Sequence, residues 1–177
     1  MRYLYERQGD YEVFPGQELL AHENLNPSRE DIRLVVENAR YTGESGQPVF
    51  TNRNVAAILG LLDEAYASHA TRDISVYDVD HIFPRSKSEE VAATVGEEVD
   101  LNRIGNLQLL YRPLHETKGD AWPEDWFSDQ LSPSEADEIK RVNQYPDDSS
   151  LDPASVDAFI EAREEKLIDH LEAKYVK

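Results

Sequence analysis

The chain has 177 residues, 40% of them hydrophobic, enough for one ordinary domain with a real core. It has no cysteine, which excludes disulfides, thiolate metal sites and cysteine nucleophiles and fits a cytoplasmic protein. A net charge of −18 argues against a general nucleic-acid binder, because such proteins carry excess Lys and Arg to meet phosphates.

The stretch Met1 to Asp10 is mixed polar and aromatic, with no signal-peptide core, and no window is long and apolar enough for a membrane span. Asn26 to Arg40 reads as a helix capped by Asn26 or Ser28, with Ile32, Val35, Val36 and Ala39 at helical spacing. Tyr41 to Pro48 carries Gly43 and Gly46 and reads as a loop. Thr51 caps a stronger helix over Asn52 to Ser68, with Val55, Ile58, Leu59, Leu62 and Ala65 on its apolar face. From Ile74 to Ile82 the composition turns β-rich, a polar loop follows from Arg85 to Arg103, and Asn106 to Tyr111 reads as a second short strand. Pro113 suits the first turn of a short helix carrying His115 and Lys118.

The remainder is expected to be helical. Trp122 and Trp126 lie four apart, which favours core packing over base stacking. Ser132 or Ser134 begins a helix, Pro146 to Ser150 is an acidic linker, and Asp152-Pro153 opens the last helix. Its apolar stripe is Val156, Phe159, Ile160, Leu167 and Leu171. The run Glu161 to Lys166 reads as a solvated face with i,i+4 pairing, and His22, His69 and His170 read as surface residues. The fold class is therefore α+β and mostly helical, one domain over 1–177. A strand–loop–strand–helix centre at 71–120 is flanked by helical parts at 1–70 and 121–177.

Two clusters carry the chemistry. One is Asp78-Val79-Asp80-His81-Ile82-Phe83-Pro84-Arg85-Ser86. The other is Ile104-Gly105-Asn106-Leu107-Gln108-Leu109-Leu110 followed by Leu114-His115-Glu116-Thr117-Lys118. Hydrolysis of a phosphodiester needs a base to activate water and a hard cation to offset the charge that develops on the phosphate. Histidine is a suitable base at neutral pH. Adjacent strand residues point to opposite faces. Asp80 can therefore face a metal while His81 faces the water, with His115 as the second ligand.

These residues resemble the HNH (His-Me finger) nucleases. The wider pattern, Asp80-His81-Ile82-Phe83-Pro84 followed by Ile104-Gly105-Asn106-Leu107, is similar to the C-terminal HNH domain of GmrSD-type modification-dependent restriction enzymes and the related phage-defence effector SspE. The resemblance covers most of 50–177, and it implies a ββα-metal motif. It implies that His81 is the general base, that Asp80 and His115 are metal ligands, and that Asn106 orders the loop and helps orient the base. It further implies a basic residue near the phosphate at Lys118. Asp78 is a supporting carboxylate, and Arg85 and Arg103 are candidate phosphate contacts. Many relatives have Asn at the place of His115, from which this chain departs. Asp with water suits Mg²⁺ and an imidazole shifts the balance towards Mn²⁺, Ni²⁺ or Zn²⁺, so Mg²⁺ or Mn²⁺ is expected, with Ni²⁺ or Zn²⁺ as alternatives.

The expected activity is nicking or cutting of DNA, phage DNA in particular, by the effector end of a restriction or phage-defence enzyme. That enzyme's N-terminal nucleotide-hydrolysing domain would lie outside this chain, which has no Gly-rich phosphate loop. A freestanding small nuclease or toxin, and a non-catalytic DNA-binding module on the same fold, are the alternatives. The acid excess is heaviest at 121–177, with 6 basic and 15 acidic residues against 6 and 10 at 71–120. It reads as a solubilising surface, with DNA affinity supplied by a partner domain.

Overall fold

A computed structural model describes residues 27–42, 53–62 and 76–176. Helix α1 spans Arg29–Asn38, and Ser28 caps it through a box with Asp31, so Ser28 rather than Asn26 begins it. Helix α2 spans Arg53–Gly60. It ends at Gly60, short of the Leu61 and Leu62 that the expected helix included, while residues 63–68 of that expectation, the expected loop beyond Thr42, and His22 and His69 fall outside the described residues.

Strands β1 (Tyr77–His81) and β2 (Leu107–Tyr111) form a two-stranded antiparallel sheet in which Asp80 lies opposite Gln108 and His81 opposite Leu107. The expected polar loop between them is broken by a helix, α3, at Ser88–Val95. Its signals are local: Glu89 and Glu90 sit in the first turn, Val91 is buried, and Gly96 ends it in the left-handed conformation. Helix α4 (Arg112–Lys118) follows β2 directly with Pro113 in its first turn. Then come α5 (Pro123–Gln130), α6 (Pro133–Val142, capped by Ser132 with Glu135) and the long α7 (Val156–Tyr175). The architecture is thus α+β and mostly helical. Among the described residues no helix is long and apolar enough to cross a membrane.

The sheet stands between two apolar clusters. Tyr77, Leu107 and Leu109 join Val36, Leu59 and the C-terminal half of α7, including Leu167 and Leu171. Ile82, Phe83 and Leu110 join Trp126, Tyr145, Phe159 and Ile160. All five stripe residues expected on α7 are buried, and Trp126 is core as expected.

The run Glu161 to Lys166 is the expected solvated face only in part: Glu161 and Glu165 are exposed, but Arg163 and Glu164 turn inward. Arg163 is fully buried and donates to the carbonyls of Asn143, Ile104 and Gly105 at 2.9, 2.9 and 3.0 Å. Glu164 is buried against Arg103 and the Gly105 N–H. An interior backbone turn with unpaired carbonyls needs donors, and a guanidinium supplies several at once. The turn sits so close to α7 that a Cβ on Gly105 would collide with the Ile160 carbonyl oxygen.

Candidate functional site

The site grows out of the strand parity of β1. Asp78 and Asp80 share one face and His81 takes the other, so the neighbouring side chains of Asp80 and His81 diverge. On the Asp80 face the nearest element is α4. His115 and Lys118 are three apart on it and therefore project to one side.

Asp80 is 3% exposed, and every contact to its carboxylate is specific. Gln108 Nε2 donates to Oδ2 at 2.8 Å. Lys118 Nζ, itself 2% exposed, donates to Oδ1 at 3.2 Å and to the His81 carbonyl at 2.7 Å. His115 Nε2 lies 3.6 Å from the same Oδ1, while His115 Nδ1 lies 3.2 Å from Asp78 Oδ2. Arg112 stands 3.4 Å from Asp78.

A carboxylate can only accept, so Nδ1 of His115 donates its proton to Asp78, and Nε2 is left as the ring atom that faces Asp80. Nε2 of His115 and Oδ1 of Asp80 face each other at 3.6 Å. Their separation suits two ligands of one divalent ion at donor distances of about 2.0–2.2 Å. A histidine held by a carboxylate through its other nitrogen is the usual arrangement of a metal-ligating imidazole. The residues therefore fit a metal ion with two protein donors. Among the described residues no group of three or more His, Cys, Asp or Glu side chains is arranged to hold one. Lys118 already offsets one charge of the pocket.

His81 lies on the opposite side, its ring edge-on to Tyr41 with centroids 4.8 Å apart. Its Nε2 is 3.2 Å from Asn102 Oδ1. With that oxygen accepting, Nε2 carries the proton and Nδ1 carries the lone pair. Burial pushes the imidazole below the usual histidine value, against the opposing pull of Asn102 and Asp80, so it is neutral at neutral pH.

Asn106 is fully buried. Its side chain accepts from the Phe83 N–H at 2.8 Å and donates to the carbonyls of Phe83 and Leu101. It thus ties the chain after β1 to the loop before β2, and these bonds do not reach the His81 ring. Asn102 makes that contact instead. Lys118 is turned inward to Asp80 rather than outward. Arg103 is not at this face, because its guanidinium is committed to Glu164 and Asp157. Arg85 is exposed beside the Tyr41 ring, 5.9 Å from its centroid, on the His81 side.

Sequence reasoning missed Asn102, Gln108 and Tyr41. Gln108 had a readable signal, a polar residue inside the apolar run Leu-Gln-Leu-Leu and at the same parity as Asp80. Asn102 and Tyr41 had none. They meet His81 only because 39–41 pairs with 102–104, through the bonds Tyr41 N to Asn102 O and Ile104 N to Ala39 O. Compared with known proteins, the chain matches no family model, no curated protein and no solved structure.

Proposed function

We propose that this chain is a metal-dependent DNA endonuclease of the HNH class, with His81 as general base and Asp80 and His115 as the ligands of a divalent cation. The observation that carries the reading is the line from Asp78 through both nitrogens of His115 to Asp80 Oδ1, beside a histidine that is neutral at neutral pH. His81 Nδ1 takes a proton from water, the water oxygen attacks phosphorus, and the scissile P–O bond breaks. The leaving oxygen is protonated from solvent. Asn102 holds the His81 tautomer, and Asn106 fixes the chain that carries the base. A bound divalent cation supplies Lewis-acid stabilisation of the charge developing on the phosphate. One imidazole and one carboxylate suit Mn²⁺ as well as Mg²⁺.

The wider reading rests on the sequence resemblance alone. In it the chain is the effector of a phage-defence or modification-dependent restriction enzyme, working with a nucleotide-hydrolysing partner domain. The test is plasmid nicking by the purified chain. Cleavage that depends on Mn²⁺ or Mg²⁺ and stops in excess EDTA is expected. Full activity in EDTA would overturn the metal mechanism.

A further inference from the structure

Asp80 is held from behind by a chain of buried hydrogen bonds that none of the roles above uses. Gln108 is fully buried on β2 directly opposite Asp80. Its amide orientation is fixed by chemistry. Asp80 Oδ2, an acceptor, lies 2.8 Å from Nε2, so Oε1 must face a donor, and the Tyr145 hydroxyl donates to it at 3.0 Å. Burial pushes the Tyr145 phenol far above its usual value, so it keeps its proton. The tyrosine ring is wedged edge-on between Phe127 and Phe159, at 6.0 and 5.4 Å.

The two oxygens of Asp80 are therefore unequal. Oδ2 is committed to Gln108, and Oδ1 alone is turned to Lys118 and His115. We propose that Gln108, held by the Tyr145 hydroxyl, is a positioning residue that turns Asp80 Oδ1 towards His115 and so sets the chain's affinity for a divalent cation. Partners that orient a metal-ligating carboxylate commonly govern affinity by about 10–100-fold. The inference rests on the proposed metal site and adds to it two residues that touch no cation.

The experiment is calorimetric titration of Mn²⁺ into the full chain and three variants, with thermal melts alongside. Gln108→Leu should weaken binding by about 10–100-fold. Tyr145→Phe, which keeps the ring, should weaken it by on the order of three- to tenfold. The double variant should bind no more weakly than Gln108→Leu alone, because the hydroxyl acts only through the amide. Phe127→Leu disturbs the packing of Tyr145 without touching its hydrogen bond. It should lower the melting temperature and leave Mn²⁺ affinity within about twofold.

Unchanged affinity in Tyr145→Phe, additive losses in the double variant, or an equal loss in Phe127→Leu would each overturn the inference while leaving the metal site standing. Should Gln108→Leu fail to fold, Tyr145→Phe against Phe127→Leu decides alone. Absence of Mn²⁺ binding by the unaltered chain would overturn the metal site and this inference together.

Discussion

Two charged regions of this molecule behave oppositely. Between α1 and α7 lies a ladder of half-exposed ion pairs. Arg29 meets Asp169 at 2.7 Å and also Glu172, and Arg33 meets Glu165 and Glu37. Beneath β1 and α4 lies the Asp80–Lys118 pair, with side chains 3% and 1% exposed. The ladder is screened by water and salt, and its members are individually replaceable. The buried pair has left water, and each partner depends on the other. The net charge of −18 belongs to the first kind of region and says little about the second, where Asp80 is balanced by a lysine and an amide donor. Composition thus argues against a general nucleic-acid binder without bearing on the pocket around Asp80.

The contrast is broken most severely at Lys118. Lys118→Ala leaves Asp80 buried without its cation and should cost about 3–5 kcal/mol in a denaturant melt. A loss below about 1 kcal/mol would put the pair in the same class as the surface ladder. Added Mn²⁺ should restore more stability to this variant than to the unaltered chain, since it supplies the missing positive charge in the folded state.

Next in size is Gly105. Gly105→Ala presses a methyl group into the Ile160 carbonyl and should cost about 1–3 kcal/mol by overpacking. A melt identical to that of the unaltered chain would mean that the turn holding Asn106 has more room than its close approach to α7 implies.

The smallest effect is expected on the ladder itself. Arg33→Ala should leave the melting temperature nearly unchanged, and any change should vanish in high salt. Its pH signature sharpens the point. Hydrogen bonding to Arg33 holds the Glu165 carboxyl below the usual glutamate value of 4.5. A carboxyl depressed in the folded state stabilises above its unfolded pKa, and that contribution is lost as pH falls through the folded value. Melts below pH 4.5 should therefore show a slightly flatter acid limb in Arg33→Ala. An equal limb would mean that the pair contributes nothing.

The same contrast explains what could be read from the sequence. Periodicity reads α1 and α7, because burial of a stripe is written in residue spacing, while β-rich composition marks β1 and β2 and Pro113 marks the start of α4. Asp80, His81 and His115 were legible as a set for the same reason, since strand parity and a helix start follow from local rules. Helix α3 was hidden in a polar stretch that buries only Val91 among its residues. The errors on α7 have a different origin. Arg163, Glu164 and Glu165 are consecutive charges of ordinary appearance, and only the packing of the Ile104–Asn106 turn decides that the first two are interior. Likewise nothing local separates Asn102, which touches the His81 ring, from Asn106, which touches backbone.

His81, on the opposite side of β1 from Asp80 and His115, is proposed as a base and not a ligand. The direct measurement is His81→Ala in Mn²⁺-dependent plasmid nicking, with Mn²⁺ affinity measured on the same preparation. A fall in nicking of about 10²–10⁴-fold is expected, with affinity within about twofold of the unaltered chain. Undiminished nicking, or a loss of nicking that merely tracks a loss of bound Mn²⁺, would contradict it.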